Sequence, residues 1–496
     1  MKPMKYPSLI KSITCLLLSV TVIPFTFSGN VDWISATGGD WNVAANWTDS
    51  TLPGTSDVAR INTDGIIVNL GSTQKINALY IGNSGTGAAT LNVNAGANLT
   101  LTGTLGLAHS SNNRFTATIN QFENSSVSVQ IFAVGATTNA KTGIYNLHGG
   151  TFTAGGVAGL GYGGGNGEFN QTGGTATFNA ELRLLNGVRN VAGQVNEGKY
   201  TISGGILNAD SNLVNGIDNV TDATVKGTGH AVLAIIGSNA TINVKGNYVT
   251  AEQKDTESTV DIPKGKRSST LDVSIDNGGL SKINLTTGTA NVDGILKAGI
   301  KGGVAFTKTN EFAMIEADTG KISGNFATLP SSALWSAPSV ESVSDTRDAL
   351  MLSYAAAASK GDLAVSDTLS GLTFADAAAG FVTMSGLTSG NEVSIYINAA
   401  AGTGKTLGEL ITHFTDNGIV ATATSESGYN ILLSMTASGS TGYFAWDLSD
   451  FNATSTISAL AALTTSNIPE PSIFALALAF VTAALALHRR GRRTHK

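Results

Sequence analysis

From about Val31 to Pro330, apolar residues recur at every second position in short runs separated by glycine and asparagine. Thr90-Leu-Asn-Val-Asn is followed by Asn98-Leu-Thr-Leu-Thr. The alternation returns in Thr241-Ile-Asn-Val-Lys, Leu271-Asp-Val-Ser-Ile and Lys282-Ile-Asn-Leu-Thr. A period of two is that of a strand with one buried face, and no segment here has a helical period. Three segments share a longer pattern: Gly143-Ile-Tyr-Asn-Leu-His-Gly-Gly, Gly167-Glu-Phe-Asn-Gln-Thr-Gly-Gly and Gly198-Lys-Tyr-Thr-Ile-Ser-Gly-Gly. Each reads glycine, any residue, aromatic, three residues, Gly-Gly, and a looser relative begins at Ala88.

Spacings of about 24 and 31 residues between these segments fit a parallel β-solenoid. A coil of two or three short strands cannot bury its inner face alone, whereas stacked coils share a continuous core. Gly-Gly supplies corners with positive φ at little steric cost. Asparagine, threonine and serine suit turns and stack in ladders between coils. At ~22 residues per coil and ~4.8 Å per rung, ~290 residues predict a solenoid ~60 Å long. An antiparallel sandwich or propeller competes, but few Asn-Gly or Asp-Gly hairpin turns punctuate the strands.

The pattern changes after Pro330. Residues 331–362 read as a linker with one strand, Ala349 to Tyr354, and an alanine-rich stretch. Residues 363–463 read as a small β-rich accessory domain. Its expected strands begin at Val393, Tyr429 and Tyr443, with a helix over Thr406 to Asp416. The fold class is therefore all-β: a solenoid over 31–330, then a second β unit.

Composition sharpens this picture. Only 13% of residues are charged, about half the share in an average soluble domain. A net charge of −6 spread over 496 residues gives no basic patch for nucleic acid. An apolar fraction of 42% with regular alternation argues against disorder.

Both termini read as removable segments. Lys2, Lys5 and Lys11 precede an apolar stretch from Ile13 to Phe27, so 1–28 is expected to be a secretory signal peptide cleaved near Gly29. The single cysteine, Cys15, lies inside it, so the mature chain should carry no thiol or disulfide. At the other end, Ile468-Pro469-Glu470-Pro471 precedes an uncharged apolar run, 473–487, and then Arg489, Arg490, Arg492 and Arg493. The prolines hold Glu470 on a stiff extended segment. The run is expected to form one transmembrane helix. Its length of ~22 Å is short of the ~30 Å hydrocarbon core, which local thinning and snorkelling arginines can accommodate. Arginines after the run would stay cytoplasmic. A plain membrane anchor or a buried helix are the other readings of the same letters.

The order of these parts over 468–496 resembles the PEP-CTERM sorting signal of exported bacterial proteins, with Ile468 in place of the common valine. The resemblance implies processing by an exosortase-type membrane protease. Pro469, Glu470 and Pro471 would be the recognition element, and the four arginines the stop and orientation signal. It also implies transient inner-membrane anchoring, a final place at the cell surface or in the extracellular matrix, and contact with exopolysaccharide. Gly39-Asp40-Trp41-Asn42 and Asn46-Trp47, with Trp33, Pro53 and Asp57, resemble the opening of autotransporter-style repeat proteins. Gly294-Ile-Leu, Phe312 to Ala317 and Ile322 to Phe326 resemble their closing coils. The tryptophans would cap the first coil. The alternative is a sugar-stacking platform on Trp41 and Trp47.

No motif for chemistry outweighs its plain reading. Ala399-Ala-Ala-Gly-Thr-Gly404-Lys405-Thr406 fits the relaxed phosphate-loop pattern. A glycine-rich turn before a helix explains the same letters in so small a domain. Gly163-Gly-Gly-Asn-Gly-Glu-Phe hints at a calcium nonapeptide, but Phe169 stands where the aspartate belongs. Glu168, Glu181, Arg183, Asp210 and Asp222 form no pair at coil spacing, and six scattered histidines form no metal motif. The expectation is a non-enzymatic structural or adhesive protein without cofactor or metal. A polysaccharide-degrading or polysaccharide-binding β-helix is the alternative.

Overall fold

The structure, a computed structural model, describes residues 29–109, 115–135, 142–162, 165–185, 195–216, 228–251, 267–330, 333–355, 359–366 and 368–466. The signal-peptide segment and the tail from Ile468 onward lie outside the described residues, among them Pro469, Glu470, Pro471, Arg489, Arg490, Arg492 and Arg493. Among the described residues no helix is long and apolar enough to cross a membrane.

Three parallel sheets form the faces of a β-solenoid. The first has eleven strands, from Asn30–Asp32 to Ile322–Gly324. The second has ten, from Gly39–Asp40 to Ile295–Ile300, and the third begins at Thr73–Ile76. Each complete coil contributes one strand to each face, and each inner strand pairs with its counterparts one coil before and one coil after; the first coil has no strand on the third face.

The repeat motif falls in register. Gly143 pairs with Gly167 and Gly167 with Gly198, while Tyr145, Phe169 and Tyr200 occupy one interior row. Their rings stack at 5.0 and 4.7 Å with interplanar angles of 6° and 13°. The leading glycine of each repeat faces inward where the backbone at the ends of the first-face strands passes close. A Cβ at Gly198 would lie 1.3 Å from the carbonyl oxygen of Leu184. In the Gly-Gly pairs, the second residues Gly150, Gly174 and Gly205 have φ of +73°, +65° and +82°, which makes the corner.

Polar residues follow the same logic inside and out. Outside, amides run in a ladder: Asn92 donates to Asn69, Asn120 to Asn92, Asn146 to Asn120 and Asn170 to Asn146, at 2.9–3.0 Å. Inside, Gln121 and Gln171 are fully buried and each accepts from a tyrosine of the next coil. Tyr145 donates to Gln121 at 2.5 Å and Tyr200 to Gln171 at 2.7 Å. Burial drives both phenols above their usual range. Each glutamine amide in turn donates to a backbone carbonyl, that of Thr151 or Ile206, so the buried group is satisfied.

Coils are longer than the ~22 residues expected from the rung estimate. The step is 23 residues from Asn69 to Asn92 and 38 from His230 to Ser268. Ten steps along the first face give a length of about 48 Å rather than ~60 Å. The difference arises because chain is spent on connections at one corner, between the first and second faces.

The first coil is closed by tryptophans. Trp33, Trp41 and Trp47 pack edge to face, at 5.0 Å for Trp33–Trp47 and 4.7 Å for Trp41–Trp47. The indole N–H of Trp47 donates to the Trp41 carbonyl at 2.8 Å. Asp57 holds the turn, accepting from the N–H groups of Gly29 and Gly54.

At the far end the chain reverses. Glu311–Asp318 still pairs in parallel with Ile283–Leu285, but Arg347–Ser353 then joins it antiparallel and Ser339–Ser344 follows. The stretch read as a linker thus contains a hairpin that extends the third face. Beyond it, residues 359–466 form a second unit. A four-stranded sheet, three of whose strands lie in this unit while the fourth is Val304–Thr307, and a five-stranded sheet share one hydrophobic core with the helix Leu407–Asp416. The helix begins at Thr406 in a capping box with Glu409 and buries Leu410 and Phe414 on one side. The two units are joined by backbone and by rings. Val304–Thr307 of the solenoid pairs antiparallel with Thr441–Asp447, and Tyr354 stacks on Phe381 at 5.0 Å.

Candidate binding cleft between the solenoid and the second unit

Most of the residues weighed in the sequence do not converge. Trp41 and Trp47 have 0% exposure. A sugar-stacking platform needs an open ring face, and neither indole offers one. Their packing is that of a cap. Glu168 sits across from Lys199 on the outside of the second face. Glu181 pairs with Arg183 on another face, Asp210 is exposed on a corner, and Asp222 lies outside the described residues.

The histidines are equally dispersed. His109 packs against Tyr80, and burial lowers its pKa below the usual histidine range. His148 stacks on Phe122 at a corner, beside a shallow groove of about 690 Å³ that Glu123 also lines. His230 contacts Ser268 and His413 lies in the helix. His488 and His495 lie outside the described residues. Among the described residues no three His, Cys, Asp or Glu are grouped as a metal site.

The phosphate-loop look-alike has the wrong surroundings for its namesake. Strand Glu392–Ala400 is flanked on both sides by antiparallel strands, whereas that motif belongs to a parallel β-α unit. The loop is also tied down: the Thr403 N–H donates to Thr454, and Asn452 donates to the Thr403 carbonyl. Lys405 lies 3.8 Å from Glu409 and over the ring of Phe451. Phe169, at the aspartate position of the calcium-like segment, is a fully buried member of the aromatic row.

A cleft of about 820 Å³ opens where the last two coils of the second face meet the second unit. The solenoid contributes Asp272 from strand Arg267–Ile275 and Lys297 from strand Ile295–Ile300, which are cross-strand neighbours. The second unit contributes Lys360, Asp376, Asp447 and Asp450, with Ala375 and Ala377 to Ala379 as an apolar wall. Asp447 is turned inward and accepts from the N–H and hydroxyl of Ser449. Asp450 stands over Gly299, where an added Cβ would still be 3.9 Å from its Oδ2.

Burial pushes the Asp272 carboxyl above the usual carboxylate range. Lys297 and Lys199 oppose that shift, and the neighbouring Asp450 adds to it. Desolvation thus outweighs the two ammonium groups. Charged groups from the solenoid and the second unit converge on a concave surface, which is the usual setting of a ligand site.

Sequence reasoning touched only Asp447, as the end of the apolar strand that follows the phosphate-loop look-alike, and passed over Asp272, Lys297, Lys360, Asp376 and Asp450. Asp272 and Asp450 are far apart in the chain, obey no spacing rule and sit in ordinary strand and turn contexts. No family model, no curated protein and no solved structure matches the chain.

Proposed function

We propose that the chain is an exported bacterial protein of the cell surface or extracellular matrix, structural or adhesive in role, delivered through an exosortase-type system. The observation that carries this reading is the order of parts at the C-terminus: Pro469-Glu470-Pro471, the apolar run 473–487 taken as a transmembrane helix, then four arginines. The signal-peptide pattern of 1–28 supports it, as does a body of stacked, ladder-bonded coils with few charges. A solenoid of this kind offers long, regular faces rather than one deep pocket.

The test is the mature C-terminus. Expressed in a host that carries an exosortase, the exported protein should end near Pro471 by intact-mass spectrometry. Glu470→Ala, or a host without the protease, should leave the uncleaved form in the inner membrane. Exported protein that retains Arg492 and Arg493 would overturn the sorting reading in favour of a plain anchor.

The alternative, a polysaccharide-binding or polysaccharide-degrading β-helix, draws on one observation. Asp272, with a raised pKa, lies beside Asp450 in the cleft, and paired carboxylates of unlike environment are what glycoside hydrolysis uses. Release of reducing ends from polysaccharide, lost in Asp272→Asn and Asp450→Asn, would favour degradation. Binding without release favours the adhesive role.

A further inference from the structure

We infer that the cleft between the solenoid and the second unit binds a cationic amino-glycan, a hexosamine chain with free amino groups. This deepens the extracellular reading above and rests on it only for where the chain would meet such a polymer.

The first argument is charge. Eight of the 29 lysines and arginines lie in the two terminal segments, against one of the 35 acidic residues. The body between them keeps 34 acidic and 21 basic residues, a net charge of −13. A body this acidic attracts polycations at long range.

The second argument is the cleft's own inventory. Four carboxylates, Asp272, Asp376, Asp447 and Asp450, face two ammonium groups, Lys297 and Lys360. Ser449 serves Asp447, but Asp272, Asp376 and Asp450 accept no hydrogen bond among the described residues. Asp376 and Asp450 are exposed and Asp272 is half-buried, so their oxygens are open to a ligand rich in N–H groups.

The third argument selects among cations. The carboxylates are not gathered as a metal would need, so the positive charges of the ligand must be spaced apart. A linear polyamine meets that condition but has no acceptors, and Lys297 and Lys360 would repel it. A hexosamine chain supplies ammonium groups for the aspartates and hydroxyls for the lysines. Its ring faces can lie on the alanine wall and on the floor left open by Gly299.

The experiment uses the full exported protein and titration calorimetry with glucosamine oligosaccharides. Binding is expected at low ionic strength and should weaken with salt. The fully N-acetylated oligosaccharide should bind roughly tenfold more weakly or worse, the loss expected when charged hydrogen bonds go unmade. Asp376→Asn combined with Asp450→Asn should cost about as much, with unchanged circular dichroism. Lys360→Gln should weaken the glycan but strengthen spermidine. Equal affinity for acetylated and free-amine chains, indifference to the aspartate changes, or tighter binding of spermidine than of the glycan would overturn the inference. Tail processing is read in cells and cleft binding on purified protein, so either result can fail without the other.

Discussion

The two ends of the solenoid solve one problem by opposite means. Parallel stacking propagates itself, and an unfinished coil exposes both apolar core and unpaired strand edges. At the N-terminal end, three tryptophans within fifteen residues plug the first coil and belong to the same hydrophobic cluster as the coils. At the C-terminal end, the chain reverses strand direction and then builds a second unit with its own cluster, docked through Val304–Thr307 and the Tyr354–Phe381 stack. One end is sealed by bulk, the other by a change of topology. Only the second arrangement leaves a re-entrant surface, and the cleft lies there.

The largest expected effect tests whether the two closures are energetically separate. Trp47→Ala should cost about 3–5 kcal/mol, as for other buried large-to-small changes, and should lower the main thermal transition followed by circular dichroism. Trp446→Ala, in the fully buried core of the second unit, should cost a similar ~3–5 kcal/mol but appear as a separate early transition. A single transition shifted equally by both changes would mean that the second unit is part of the solenoid's cooperative fold.

A middle-sized effect concerns the repeats between the ends. Tyr200→Phe removes the hydrogen donated to Gln171 and should cost about 1–3 kcal/mol by leaving a buried acceptor unmet. Adding Gln171→Leu reproduces the Leu147 and Phe169 pairing of the neighbouring coil and should recover part of that loss. A double-mutant cycle in urea measures the coupling.

Smaller still is the strand reversal. Arg347 donates to Glu316, Asp318, the Asn284 side chain and the Leu285 carbonyl. Arg347→Ala should cost about 1–2 kcal/mol, more than a lone surface pair because several acceptors lose one donor.

The smallest effect has a sign set by pH. Asp272 holds its proton more tightly folded than unfolded, because burial raises its pKa. Its contribution is therefore most favourable below the ordinary aspartate pKa and declines as pH rises towards the folded value. The groups facing it, Lys199, Lys297 and Asp450, with Asp376, Asp447 and Lys360 across the cleft, set where that decline ends. Asp272→Asn should leave stability unchanged in acid and raise it slightly at neutral pH, as read by denaturant midpoints.

Much of the fold was legible because the solenoid writes its geometry locally. Gly143, Gly167 and Gly198 align in sequence and pair in space, since the inner approach at each tolerates no Cβ. The helix expected over Thr406 to Asp416 is present as Leu407–Asp416, capped by Thr406. Coil length was not legible, because connections at one corner vary without changing the strand pattern. The burial of Trp41 and Trp47 was open in the sequence, where a cap and a platform use the same residues. The cleft was illegible for a different reason. Its charges come from strands and turns whose local patterns are those of any strand and turn, and only the docking of two units brings them together.

The glutamine and tyrosine pairs carry a further consequence. Each ring of the interior row lies beside the residue two positions along the preceding coil's strand: Gln121 for Tyr145, Leu147 for Phe169, Gln171 for Tyr200. A chain of look-alike rungs faces an ambiguity as it folds, because a rung can settle on its neighbour's neighbour and still find parallel strands to pair with. Here the mistake is marked chemically. If the coil bearing Phe169 were skipped, Tyr200 would meet Leu147 and bury a hydroxyl with no acceptor. The alternation of polar and apolar handshakes thus numbers the coils and makes their order part of what the sequence encodes.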